Sequence, residues 1–545
     1  MSSLADQKAY LLQLDNREQF RQGLESGPWF TAYRNVNTET ENSGIFCALI
    51  PSASLDDVLR EPSWDIRIGS GMPGCTVRYE GDSEVTSYDR FGDHGGIEPL
   101  VILRSFHGVR QRYVEVLEEF RLFHNLYHDR QSDQYMKFDD NGDEEMIVTV
   151  EPRLVKVRLR EIRQFLALKE MHLAVYIDSI RFSPLPIDEM DSAEREDDHR
   201  DQLVRYSFHA MAAPSSSRGK HQSCSLLLGK RLIPPFPKER CGKWPYESSK
   251  QEYEEFIIGQ DSNGDPISYT CEPSRLANYF GANPHGPHYL TPVFFRREVL
   301  GKYYANPAKY TVADGGLTCG ALWDLRMDNN NERYIIVYLG DLGSLSHKEQ
   351  LYWKSFNIPP AGTISAVAYR RDFGAEFVNA EKADLLFKYS FGRFQQTWHD
   401  RFGWQLFRPF TPEDEHLFKG LRIPLTNDQG EFDPQVLALT KLLIDSLNER
   451  EIEKELEGTE PGWKSIAKLD AFLRVKKLPD REEHVKFLRE LQELRSTGAG
   501  HYKGKEYEKV AARFGIGTKD LRLVFEEILR RAIAFLESLA RHFLG

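Results

Sequence analysis

The sequence predicts an α+β protein of several domains, in which a mixed α/β N-terminal region precedes an all-α helical bundle. The chain has 545 residues, and domains usually contain about 100–200, so two to four domains are expected. Hydrophobic residues make up 40% of the chain and charged residues 28%, which is enough apolar material for folded cores. Strand patterns stop near residues 426–431, and helical periodicity continues from there to the last residue. This change divides the chain at residue 430, and a charged stretch that begins at residue 188 marks a second boundary after residue 187.

The first region, residues 1–187, is predicted to be mixed α/β and to serve as a sensor or regulatory region. Residues 4–24 fit a helix and residues 44–50 a strand. Apolar residues recur at helical spacing between Tyr113 and Leu126, which predicts an amphipathic helix there. The Asn141-Gly142 pair lies between two alternating stretches and predicts a β-hairpin with a tight type I′ turn.

The second region, residues 188–430, is predicted to be mixed α/β and is rich in proline, glycine and aromatic residues. It opens with the charged stretch 188–202, which we interpret as an exposed loop or a domain boundary. Residues 334–339 form a continuous apolar run that is typical of a buried strand. Gly340 and Gly343 follow this run in a predicted strand-to-helix turn.

Three short motifs of residues 1–430 resemble metal sites but are better explained as turns. The acidic segments 139–145 and 261–265 lack the ligand spacing of an EF-hand, and Asp, Asn and Gly favour turns for steric reasons. His285 and His288 have no cysteine or acidic partner at metal-site spacing. The sequence therefore predicts no metal site and no cofactor.

The third region, residues 431–545, is predicted to be an antiparallel helical bundle. Several segments carry their apolar residues on one helical stripe: 434–455, 465–474, 481–494, 506–514 and 518–543. Short links join these segments, so neighbouring helices should run antiparallel and bury their stripes against each other.

The candidate catalytic residues of this region are Arg495 and His501. Arg495 is expected at the end of the helix that begins near Arg481, and His501 follows six residues later. On an unbroken helix that offset turns by about 240°, so the two side chains would not share a face. Gly498 and Gly500 permit a turn that brings His501 back towards Arg495.

Spacing alone does not identify this pair. The pairs Arg121 with His128 and Arg393 with His399 have similar spacing. The third pair differs in its context, because it follows an amphipathic helix within a run of helices. The other two are expected to lie outside the bundle.

In this context the segment 488–504 resembles the HEPN superfamily, in which an Arg-x4–6-His motif follows an amphipathic helix of an all-α bundle. The resemblance covers residues 433–545 and implies a HEPN-like domain with metal-independent endoribonuclease activity. It also implies a homodimer through the C-terminal bundle, with the two motifs facing each other. Active members work in phage defence and toxin–antitoxin systems, so an effector of bacterial immunity or toxin type is expected. Where the family often has Asn, Asp or His after the arginine, this chain has Ser496.

The residue types suit RNA cleavage through the 2′-hydroxyl. Histidine titrates near neutrality and can move a proton, and guanidinium can bind two phosphate oxygens at once. Ser496, Lys503 and Lys505 are the candidate substrate-binding residues. The expected substrate is RNA, with transfer RNA as one candidate, and the activating trigger or regulator is not evident from the sequence.

Charge and composition set further expectations. The net charge is −12, yet residues 471–545 hold 16 lysine and arginine against 11 acidic residues, which suits a local polyanion site. The N-terminus lacks the pattern of a signal peptide, and apolar runs are too short to cross a bilayer. The six cysteines are scattered, so reduced thiols, a cytoplasmic location and no membrane partner are expected.

Two other functions fit the same sequence. The HEPN-like bundle could be a non-catalytic dimerisation or adaptor module, with sensing by the N-terminal region. Alternatively, an enzyme site could lie in residues 1–430, although no nucleophile, metal or phosphate motif of adequate specificity occurs there. Incubation with RNA in EDTA separates the first alternative from a nuclease.

Overall fold

The protein is α+β with a helical C-terminal region, as the sequence predicts, and its strands include a large antiparallel sheet. The computed structural model describes residues 4–21, 27–63, 74–91, 96–214, 221–247, 251–456, 458, 462–498 and 504–545. The chain forms two compact units, one of residues 1–139 and 143–250, the other of residues 140–142 and 251–545. None of the helices in this described part combines the length and the apolar character that crossing a bilayer requires.

The first unit is built on a sheet with eleven strands among the described residues. In chain order its strands and flanking hairpins are β1 (Trp29–Asn37), β2 (Glu41–Pro51), β3 (Gly74–Glu80), β4 (Ser83–Asp89), β5 (Glu98–Pro99), β6 (Val101–Phe106), β7 (Arg110–Val116), β8 (Tyr127–Asp129), β9 (Gln134–Phe138), β10 (Glu144–Glu151), β11 (Leu154–Arg158), β12 (Met171–Ser183), β13 (Glu196–Arg200), β14 (Val204–Ala212) and β15 (Ser223–Ile233). The sheet order is β13-β14-β15-β12-β2-β1-β11-β10-β9-β8, with β5 beside β2, and every described pair is antiparallel.

Both faces of the central strands are covered. The helices of this unit are α1 (Leu4–Leu11), α2 (Leu14–Arg21), α3 (Leu55–Val58), α4 (Glu118–Phe123) and α5 (Leu159–Lys169). Leu173 and Val175 of β12 belong to the main core, which also contains residues of α1, α2, α4 and α5. The intervening Ala174 belongs to a smaller core with residues of α3, because successive side chains of a strand point to opposite faces.

Three expectations for this unit need correction. The helix expected from Tyr113 to Leu126 is the strand β7 followed by the short helix α4, because apolar spacing there fits either a helix or a strand joined to a helix. The charged stretch 188–202 contains the edge strand β13, so the boundary expected at residue 187 falls inside the sheet. The hairpin of β9 and β10 is confirmed, but residues 139–143 form a longer loop than a two-residue turn.

The second unit combines small antiparallel sheets with helices. Its strands are β16 (Glu255–Gln260), β17 (Pro266–Thr270), β18 (Pro292–Arg296), β19 (Tyr310–Ala313), β20 (Gly316–Cys319), β21 (Trp323–Arg326), β22 (Tyr334–Tyr338) and β23 (Asn357–Ile358). Its helices are α6 (Gly301–Ala305), α7 (Leu339–Leu342), α8 (His347–Lys354), α9 (Ala366–Asp372), α10 (Ala383–Phe402), α11 (Glu415–Gly420), α12 (Gln429–Thr440), α13 (Glu449–Lys454), α14 (Ser465–Val475), α15 (Arg481–Gly498), α16 (Lys505–Arg513) and α17 (Leu521–Phe543). The apolar run at 334–339 supplies β22, whose residues are largely buried as expected.

The helical core begins earlier than the expected boundary at residue 431. One continuous cluster of buried apolar residues extends from Ala383 of α10 to Leu539 of α17. The rings of Trp398 and Phe543 lie 5.1 Å apart, so α10 packs directly against the last helix. The apolar residues of α10 are mostly aromatic, which obscures their helical periodicity because aromatic residues are common in strands.

The helix expected over residues 434–455 is interrupted. It consists of α12, a π-helical turn at Lys441–Asp445, and the short helix α13. The Ser446 amide donates to the carbonyl of Lys441 at 3.0 Å, which is the five-residue spacing of a π turn. This turn changes the direction of the Asp445 side chain and therefore bears on the candidate site.

Candidate functional site

Arg495 lies in the last turn of α15. Val485, Leu488, Leu491 and Leu494 of this helix are buried in the helical core, so the apolar stripe fixes which way the helix faces. The side chain of Arg495 points away from the stripe and is 32% exposed. The helix continues to Gly498, so Arg495 is three residues from its end rather than at the end itself.

The guanidinium of Arg495 forms an ion pair with Asp445. Nη1 of Arg495 lies 3.3 Å from Oδ2 of Asp445, and the carboxylate is 38% exposed. Asp445 is the last residue of the π turn, 50 positions earlier in the chain. The contact is an ion pair and not a hydrogen bond, so the five N–H groups of the guanidinium can still donate to other acceptors.

Ser496 follows on an exposed position of the same helix. Its hydroxyl donates to the carbonyl of Glu493 at 3.1 Å, and the hydroxyl of Thr497 donates to the same carbonyl at 2.7 Å. Hydroxyls inside helices commonly bond to their own backbone in this way. In this conformation the Ser496 hydroxyl therefore has an acceptor oxygen to offer, whereas a phosphate requires a donor.

Lys505 is the first residue of α16 and is exposed. The short α16 is fixed against the end of α15, because Gly498 faces the buried ring of Tyr507. A Cβ placed on Gly498 would lie 2.9 Å from a ring carbon of Tyr507. Arg495 and Lys505 thus lie on either side of a connection that is held at both ends. His501 and Lys503 belong to that connection and lie outside the described residues.

The second Arg–His pair lies inside the helical core region, so the expectation that it lies outside is wrong. Arg393 and His399 are both exposed on the continuous helix α10. Their offset of six residues places them on different faces of that helix. In the pair of Arg121 and His128, the imidazole of His128 forms a hydrogen bond with the carboxylate of Asp133 at 2.7 Å.

Many cations of the C-terminal region already have acidic partners. Arg481 and Arg489 both pair with Asp470. Arg513 pairs with Glu493 at 2.8 Å, and Arg531 with Glu490 at 3.1 Å. Asp470 lies outside residues 471–545 and reduces their positive surplus, whereas Glu490 and Glu493 are already counted in that balance. The surplus is therefore a weak guide to an RNA surface.

A polar cluster that the sequence does not reveal lies elsewhere in the second unit. The Tyr338 hydroxyl donates to Asp372 at 2.8 Å, and Arg326 pairs with the same carboxylate. Arg371 contacts both carboxylate oxygens of Asp314, at 2.9 and 2.6 Å. Burial and the adjacent Asp372 raise the pKa of the Tyr338 phenol, which keeps it protonated as a donor. These residues come from separate segments without a motif, so spacing offers no signal.

The same part of the unit holds a half-buried carboxylate, that of Asp341. The Tyr289 hydroxyl donates to Asp341 at 2.9 Å. Burial raises the pKa of Asp341 above its usual value, and burial together with Asp341 raises the pKa of Tyr289 to about 12. The cluster contains acids, arginines and phenols that satisfy each other, an arrangement typical of a structural network.

The turn motifs of the sequence have local structural roles. Asp261 accepts bonds from the amides of Asn263 and Asp265, at 2.8 and 2.9 Å, as an acidic turn should. His288 accepts a bond from the amide of Leu290 at 3.1 Å. Across the described residues, His, Cys, Asp and Glu side chains do not gather in threes in a way that could hold a metal ion.

Comparisons with known proteins yield no relative. No protein-family model matches the chain, and neither a curated protein nor a solved structure is similar to it.

Proposed function

We propose that the protein is a metal-independent endoribonuclease, an effector of a bacterial immunity or toxin-type system, whose site contains Arg495 and His501. The main support is the position of Arg495. Its guanidinium is accessible near the end of α15, with most of its donors uncommitted among the described contacts. The helix then leads directly into the segment that carries His501. This position, in an all-helical region, suits the HEPN-like motif that the sequence indicates.

The proposed chemistry requires few groups. The 2′-hydroxyl of RNA attacks the adjacent phosphorus, and the 5′-oxygen of the next nucleotide leaves. His501 is proposed to transfer a proton, while Arg495 stabilises the negative charge that develops on the phosphorane oxygens. The products should carry a 2′,3′-cyclic phosphate and a 5′-hydroxyl. A homodimer through the helical region would bring two copies of this short motif together.

The experiment compares alanine variants of the full-length chain. Arg495→Ala and His501→Ala should each abolish cleavage of total RNA in EDTA, or toxicity on expression, and leave the melting temperature close to that of the wild type. Arg495 is partly exposed and forms no part of the apolar stripe, so its truncation opens no cavity.

Arg393→Ala and His399→Ala provide the matched control. Both residues are exposed on α10, so these variants remove the same side chains without opening the core. Retained activity in the Arg495 and His501 variants, with loss in the control pair, would refute the assignment. A wild-type dimer that cleaves no RNA and is not toxic would instead favour the dimerisation or adaptor module.

A further inference from the structure

The π turn at Lys441–Asp445 places a carboxylate beside the candidate catalytic arginine. An extra residue in a helical turn rotates the following side chains by about 100° relative to a regular α-helix. In this chain the rotated position at the end of the turn is Asp445, and its carboxylate meets Arg495 at 3.3 Å.

A second segment fixes the backbone of this turn. The Arg408 side chain donates to the carbonyl of Asp445 at 2.7 Å, and its amide donates to the carbonyl of Ser446 at 2.6 Å. Asn448 completes the contact, with its amide 2.9 Å from the carbonyl of Leu406. Because the backbone is held from outside the helix, the direction of the Cα–Cβ bond of Asp445 does not depend on Arg495.

We infer that Asp445 is a positioning residue for Arg495; this inference rests on the proposed function. The carboxylate of Asp445, 3.3 Å from Nη1, attracts one edge of the planar guanidinium and narrows the range of orientations that it adopts. The remaining N–H groups then point in a defined direction, towards which an RNA phosphate can bind. A long side chain in the last turn of a helix would otherwise sample several rotamers before each reaction.

The opposite role is also physically possible for a carboxylate at this position. Asp445 carries a negative charge close to a site for a polyanion, and it could repel the phosphate. The two roles predict opposite results when the charge is removed. The single contact and the external fixation of the turn favour positioning, because a repulsive group would need no defined direction.

The test uses the full-length protein and RNA in EDTA, with kcat and KM measured separately. Asp445→Asn should lower kcat by between about tenfold and about a hundredfold and change KM little, because misplacing a catalytic group has effects of that order. Asp445→Glu keeps the charge and should recover part of the lost kcat. Glu493→Gln is the matched control. Glu493 lies on α15, as Arg495 does, and its exposed carboxylate forms an ion pair with Arg513. The variant removes this charge and should leave kcat and KM unchanged.

The outcomes are distinguishable. If Arg495→Ala is inactive and Asp445→Asn has an unchanged or increased kcat, the positioning role is overturned and the proposed function stands. The proposed function fails if Arg495→Ala is as active as the wild type, or if the wild type neither cleaves RNA nor is toxic. In that case the positioning role of Asp445 fails as well. Melting temperatures of the variants close to that of the wild type would exclude a loss of folding as the cause.

Discussion

At the scale of single residues, the clearest acid–base consequence lies at His124 in the first unit. Nε2 of His124 is 2.8 Å from the carbonyl oxygen of Glu161, so this nitrogen carries the proton and donates. The ring packs edge-on against Phe120 and Phe123. Burial lowers the pKa of His124 to about 4. The folded protein therefore favours the neutral imidazole.

This lowered pKa predicts how stability depends on pH. Between about pH 6.5 and pH 4 the unfolded chain binds a proton at His124 and the folded chain does not, so the free energy of unfolding should decrease as the pH falls through this window. His124→Gln should reduce the slope, since a side-chain amide can donate to the Glu161 carbonyl but does not titrate. Urea unfolding at several pH values measures the slope of the free energy of unfolding against pH. Identical slopes for wild type and variant would contradict the prediction.

Individual site residues differ in how far the sequence can identify them. Arg495 could be selected because it follows an apolar stripe at helical spacing. Asp445 could not be selected, because it lies 50 positions from Arg495 in the sequence. Only the π turn brings its carboxylate to the guanidinium of Arg495, and no local sequence pattern predicts that turn. The cluster around Tyr338 is hidden for the same reason, since distant segments supply its members.

At the scale of secondary-structure elements, the junction of α15 and α16 depends on one glycine. Gly498 lies against the Tyr507 ring, and an added Cβ would approach it to 2.9 Å. Overpacking costs about 1–3 kcal/mol, which exceeds the gain of up to about 1 kcal/mol from replacing glycine by alanine in a helix. Gly498→Ala should therefore lower the melting temperature, as a thermal scan would show.

Gly392 provides the control for this prediction. It lies within α10, and nothing is found within 4 Å of a Cβ added there. Gly392→Ala should raise the stability by up to about 1 kcal/mol through helix propensity alone. Equal effects of the two substitutions would mean that the contact with Tyr507 does not constrain the junction.

Patterns of single elements were predictable when only one structure fits them. The apolar stripe of α15 predicts a helix and the continuous apolar run of β22 predicts a buried strand, and the structure contains both elements. The region from Tyr113 to Leu126 fits two structures, and β7 with α4 is the one formed. Helix α10 is not evident from the sequence because its apolar face is aromatic, although residues 387, 391, 394 and 398 have helical spacing.

At the scale of the whole molecule, the two units define which pieces of the chain can fold. The helical core includes α10 as well as the helices beyond residue 431. A fragment of residues 431–545 would expose the apolar surface that Trp398 and its neighbours cover on α17. Such a surface has no other partner in the fragment and favours aggregation or loose packing.

This arrangement predicts the behaviour of two fragments. Residues 251–545 should unfold cooperatively on heating, because they contain nearly the whole second unit. Residues 431–545 should bind a hydrophobic dye and lack a sharp transition. Calorimetry and dye fluorescence measure both properties. A sharp transition in the shorter fragment would show that the helices beyond residue 431 form a domain without α10.

The order of strands in the large sheet has a consequence for synthesis on the ribosome. Strand β2 pairs along its length with β12, yet residues 41–51 leave the ribosome well before residues 171–183. At about 5–20 residues per second, the earlier strand waits on the order of ten seconds for this partner. During that interval one edge of β2 is open to incorrect pairing. Slow translation or a chaperone that binds nascent chains should therefore change the folded yield of this unit more than that of the helical region.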